Sequence, residues 1–71
     1  MKEIRKKLTE RTRKAIKAYK TNMELNSGYE LSCIVAEAQV YIKALVDMEV
    51  ISIPEACGIC GYLKISVPRL K

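Results

Sequence analysis

The sequence predicts an all-α fold, a helical hairpin completed by a short third helix, in one domain spanning residues 1–71. Three observations carry this. Two capping-box signatures, Ser27-Gly28-Tyr29-Glu30 and Ser52-Ile53-Pro54-Glu55, place a hydroxyl and a carboxylate three residues apart, where each can bond the other's free backbone N–H. Apolar residues recur at helical spacing through the first two segments. A single short stretch alternates with period two, and no second strand exists to pair with it.

The first helix is expected near 2–24. At 100° per residue, Ile4, Leu8, Thr12, Ala15, Ile16, Tyr19 and Met23 share an arc of about 120°. Lys2, Lys6, Lys7, Arg13, Lys14, Lys17 and Lys20 lie opposite, interspersed with Glu3 and Glu10. Asn22, Asn26, Ser27 and Gly28 then supply turn chemistry.

The second helix is expected over 28–49. Fourteen of the twenty residues from Tyr29 to Met48 are apolar, enough for more than one apolar face. The bulky ones (Leu31, Ile34, Val35, Tyr41, Ile42, Leu45 and Val46, with Ala38 among them) form an arc of about 140°. A second, narrower stripe holds Cys33, Ala36, Val40 and Ala44, between Glu30/Glu37 on one edge and Ser32/Gln39/Lys43 on the other. Small side chains let helix axes approach closely, so this stripe is expected to join two copies of the chain into a homodimer.

The third helix is expected over 53–62. Pro54 is acceptable in its first turn, where the missing N–H is not required. Ile51 and Ala56 stand where a hydrophobic staple forms. Gly58 and Gly61 weaken the helix, and Gly61 is placed to stop it. Leu63, Ile65 and Val67 then alternate with polar residues or Tyr62, which leaves the tail as a docked extended segment, a strand paired across a dimer, or further helix.

Length and composition restrict function. A chain of 71 residues is too short for an α/β barrel, a full dinucleotide-binding fold or a kinase. It contains no histidine, which excludes His-based acid–base chemistry and Cys₂His₂ zinc sites. No Gly-rich phosphate loop occurs, no serine has a base beside it, and no carboxylate pair stands apart from the solvated surface. The expectation is a protein that is not an enzyme and needs no cofactor. No apolar run reaches the ~18–20 residues of a membrane span, and the N-terminus lacks the apolar core of a secretory signal. A cytoplasmic location without membrane association follows as the default.

Charge is unevenly placed. Residues 1–20 hold nine basic and two acidic residues, a local net of +7, whereas residues 21–71 hold four basic and six acidic, a net of −2. Such a basic arm suits an anionic partner, with Lys6, Arg13, Lys14, Lys17 and Lys20 as its contacts. The competing reading is a solvated face that keeps a small protein soluble.

Three cysteines, Cys33, Cys57 and Cys60, are an odd number, unlike a secreted disulfide framework. Cys57-Gly58-Ile59-Cys60 looks like the redox pair of thioredoxin-type oxidoreductases, but the strand leading into that helix is missing. Zinc needs four ligands and one chain offers three thiols, so no metal site is expected. Packing of Cys57/Cys60 and Gly58/Gly61 against the second helix is the simpler reading.

Two wider resemblances bear on function. Residues Ile51-Ser52-Ile53-Pro54-Glu55-Ala56, with Ile59, Gly61, Ser66, Val67 and Arg69, resemble the helix-turn-helix of excisionase and MerR-like DNA-binding proteins. That resemblance implies a recognition helix across Ser66–Arg69, a segment that also contains Pro68. The overall pattern, a basic leading helix, an apolar middle helix and a short Ser-x-Pro-Glu-Ala helix, is similar to small helical accessory proteins of phages and conjugative elements, which include anti-defence inhibitors and regulators. The expected function is a helical interaction or regulatory module docking through its basic helix on an acidic protein or nucleoprotein complex. The alternative is a small DNA-binding regulator contacting phosphates through the same cations.

Overall fold

Thr9, not a residue near position 2, opens the first helix. In the computed structural model, which describes residues 8–70, α1 runs Glu10–Leu25. Thr9 has extended backbone, and its Oγ1 accepts the Thr12 N–H at 3.1 Å. This corrects the expected start: Leu8 and Thr9 precede the helix, and residues 1–7 lie outside the described residues. At the other end the Asn26 side-chain amide donates to the Asn22 carbonyl at 2.7 Å, satisfying one of the carbonyls a helix terminus leaves open.

Helix α2 covers Gly28–Asp47, and its start departs from expectation. Ser27 is the N-cap residue, yet its side chain makes no capping bond. Gly28 follows it in the left-handed region, at φ 62°, a conformation open to glycine at little cost. The first turn is thereby entered along a path that leaves the Ser27 hydroxyl off the Glu30 N–H.

The end of α2 is a two-bond closure. Val50 N–H donates to the Leu45 carbonyl and Glu49 N–H to the Val46 carbonyl, both at 2.9 Å, with Glu49 left-handed at φ 60°. This places the helix end at Asp47, two residues short of the expected 49.

Helix α3 covers Ile53–Leu63 and begins as expected. Ser52 N–H donates to Glu55 Oε1 at 2.8 Å, and the Glu55 N–H donates to Ser52 Oγ at 3.3 Å. Ile51 and Ala56 are both buried, as a staple requires. The helix does not stop at Gly61. It continues to Leu63, and the same closure recurs with Lys64 left-handed at φ 59° and Ile65 N–H donating to the Cys60 carbonyl at 3.0 Å.

The described residues therefore form a compact all-helical domain of three helices with no strand. α2 packs against both α1 and α3. Its buried residues Ala38, Ile42 and Leu45 come from the bulky arc, and Leu31, Ile34, Val35, Tyr41 and Val46 pack around them. From α1 come Ile16 and Met23, with Leu8 folding in ahead of the helix. From α3 come Ala56, Ile59, Cys60 and Leu63, spaced 3, 1 and 3, one helical face. Tyr19 of α1 meets Tyr41 of α2 with ring centroids 5.7 Å apart and planes tilted by 52°, a favoured aromatic geometry.

Residues 65–70 carry neither helix nor strand. Ile65 and Leu70 pack against the core, and Gln39 Nε2 donates to the Ser66 carbonyl at 2.8 Å. The segment that the helix-turn-helix resemblance assigns to recognition is thus non-helical, in keeping with Pro68, which has no N–H for a helical bond.

Candidate functional site

The basic face of α1 is built by its periodicity. Arg13, Lys14 and Lys17 occur at i, i+1 and i+4, within an arc of about 100° that begins about 60° round the helix from Ile16, and all three are exposed. Lys14 Nζ lies 3.7 Å from Glu10 Oε1, with both side chains more than three-quarters exposed or at that level (77% and 75%). A pair so open to water contributes little and leaves Lys14 available to a partner. Arg13 Nη1 donates to the Leu8 carbonyl at 3.4 Å, tying the residue before the helix to its first turn.

Lys20 is not part of that face in the expected way. Its ammonium donates to the Tyr62 carbonyl at 3.0 Å and sits 4.8 Å from the Tyr62 ring centroid. It therefore serves as a cation at the C-terminal end of α3, where helix carbonyls gather negative potential. Lys6 lies outside the described residues.

Between these cations and α3 lies a groove of about 430 Å³. Leu8 and Ile16 line its base, Tyr62 contributes from α3, and Glu10, Arg13, Lys14 and Lys17 complete the lining. The groove joins an apolar base to a cationic rim, an arrangement that charge counting along the sequence did not find. The signals were present in Leu8 and Tyr62, but placing them on one groove needs α1 and α3 both to be packed on α2.

On the far side of the molecule, the small-residue stripe of α2 is open. Cys33 and Ala36 are exposed, Val40 is 68% exposed, and Ala44 is half-buried. Tyr29, at 81% exposure, extends the stripe by one turn because it lies seven residues before Ala36. Gln39, on one edge, is held to the tail through Ser66.

The cysteines separate by environment. Cys60 is fully buried, and burial, with Cys57 as a smaller cause, pushes its thiol above its ordinary pKa. Cys57 and Cys33 are exposed. This corrects the packing expected for Cys57, which faces solvent one turn before Cys60. Gly61 makes no tight contact either, since a Cβ built there would meet nothing within 4 Å. Among the described residues no group of three Cys, Asp or Glu side chains is placed to hold a metal ion. Among the same residues, no helix is long and apolar enough to cross a membrane.

Comparison with protein-family models, with characterised proteins and with solved structures finds no match for this chain.

Proposed function

We propose that this chain is a non-catalytic interaction module that docks on an acidic protein surface through the Arg13/Lys14/Lys17 face of α1. The observation that supports it most is the juxtaposition of three exposed cations with an apolar-based groove on one side of the molecule. A face that only kept the chain soluble would need no such groove beneath its charges. Lys20, turned to Tyr62, stiffens the wall of that groove and is a positioning residue in this reading.

The exposed stripe of Cys33, Ala36 and Val40, flanked by Ala44, is the proposed seam of a homodimer, which would place two basic faces on one particle and raise avidity for a repetitive acidic surface. Residues 65–70, held along α2 through Gln39, bound that seam on one side. A cytoplasmic regulator or anti-defence inhibitor of a phage or conjugative element fits this mode of action, because such proteins act by covering a partner and need no chemistry of their own.

The test is an anisotropy series with labelled polyglutamate and, separately, a DNA duplex, from about 50 mM salt upward. Phosphate contacts would make log K fall by about 0.9 per contact against log[salt]. The proposal expects polyglutamate to bind with salt-sensitive affinity. Stronger binding to the duplex would replace it with the DNA-binding reading.

A further inference from the structure

We infer that the groove beside α1 is an anchor site, receiving one bulky apolar side chain of an acidic peptide segment while the carboxylates flanking that side chain meet Arg13 and Lys17. The inference rests on the acidic-partner reading and adds what that reading lacks, a reason for selectivity among acidic surfaces.

Size is the first argument. A volume of about 430 Å³ is on the scale of ligand sites and ample for a single Leu, Phe or Trp side chain. Depth is the second. Leu8 and Ile16, only 5% and 3% exposed, form the base, so an entering side chain would reach the edge of the core itself. The alkyl stems of Arg13 and Lys17 extend that apolar lining upward while their charged ends stay in water. An apolar side chain seated in such a hollow and ringed by polar contacts is the usual form of an interface hot spot.

The pattern of charge argues for peptide over nucleic acid. A phosphate backbone is best met by an unbroken row of cations. Here Glu10 stands beside Lys14, Glu24 follows one turn beyond Lys20, and Lys20 is committed to Tyr62. Around the hollow, Arg13, Lys14 and Lys17 outnumber the one acidic lining residue, Glu10, and this local excess of positive charge complements carboxylates placed on both sides of one apolar residue.

The experiment uses the full chain and two fluorescein-labelled peptides, Asp-Glu-Asp-Leu-Asp-Glu-Asp and its counterpart with Ser at the centre, with a short DNA duplex as the third probe. The expected result is binding of the Leu peptide roughly tenfold or more tighter than the Ser peptide. NMR shifts of the Leu8 and Ile16 methyl groups should accompany it, and Lys17→Glu should weaken both peptides. Equal affinity for the two peptides overturns the anchor and leaves the acidic-partner reading standing. Failure of both peptides to bind overturns the two together. Shifts confined to the α2 stripe, or a duplex that binds more tightly than the Leu peptide, overturn the anchor in favour of another surface or another partner class.

Discussion

Lys20 and Tyr62 meet twice: the ammonium donates to the Tyr62 carbonyl at 3.0 Å and lies 4.8 Å from the centroid of the same residue's ring. The pair locks the C-terminal end of α3 onto α1, forty-two residues earlier in the chain. It also occupies one of the three donors of the Lys20 ammonium, which leaves that cation less to offer an incoming anion. Lys20→Met, which keeps the stem and removes the charge, should cost about 0.5–1.5 kcal/mol in denaturant unfolding, with the affinity of the α1 face changed less than by Lys17→Glu. A larger loss of affinity than of stability would return Lys20 to the docking residues.

Two of the three glycines in helices, Gly28 and Gly61, should respond in opposite directions. Gly61 sits within α3 facing open space, so Gly61→Ala is expected to stabilise by about 0.5–1 kcal/mol. Gly28 has φ 62°, so Gly28→Ala should destabilise by about 1 kcal/mol although a Cβ there meets nothing within 4 Å. Chemical denaturation of the two variants beside the parent chain checks both signs.

The capping serines form a second contrast. Ser52→Ala removes an N–H acceptor and should cost about 1 kcal/mol. Ser27→Ala removes no capping bond and should change stability by less than about 0.5 kcal/mol. Equal losses at the two sites would show that Ser27 caps α2 in solution.

Thiol accessibility should divide the cysteines. Under native conditions a thiol reagent is expected to modify Cys33 and Cys57 promptly, and Cys60 only on unfolding. Prompt labelling of Cys60 in the folded chain would contradict its position in the core.

High pH should weaken the fold by a route specific to two groups. Burial pushes Tyr19 above its ordinary value of 10.0, with Glu37 and Tyr41 adding to the shift, and burial raises Cys60 above 9.0. The unfolded chain therefore loses these protons at a lower pH than the folded chain. Stability from this source is complete below the ordinary values and declines as pH rises past them. In Tyr19→Phe and Cys60→Ala the alkaline decline of the midpoint should be shallower than in the parent.

Much of this architecture was legible in the sequence, for identifiable reasons. The bulky arc of α2 is long and periodic, and its residues do line the core. The Ser52/Glu55 box is complete as a pattern and forms as a bond pair. The start of α1 was missed because Thr9 and Thr12 lack the acidic partner that marks a capping box. Both later helix ends were misplaced because Glu49 and Lys64 take the left-handed position usually given to glycine. The groove was hidden because Leu8 and Tyr62 are fifty-four residues apart and come to line one hollow only once α1 and α3 have both packed on α2.

The most direct test of the α1 face is a titration of the labelled Leu-centred acidic peptide into the parent chain and into the charge-reversed Arg13→Glu/Lys14→Glu/Lys17→Glu chain, each shown to be helical by circular dichroism. The account predicts salt-sensitive binding by the parent and a loss of roughly a hundredfold or more in the reversed chain, since three favourable contacts become repulsive. Equal affinity in the two chains would contradict it.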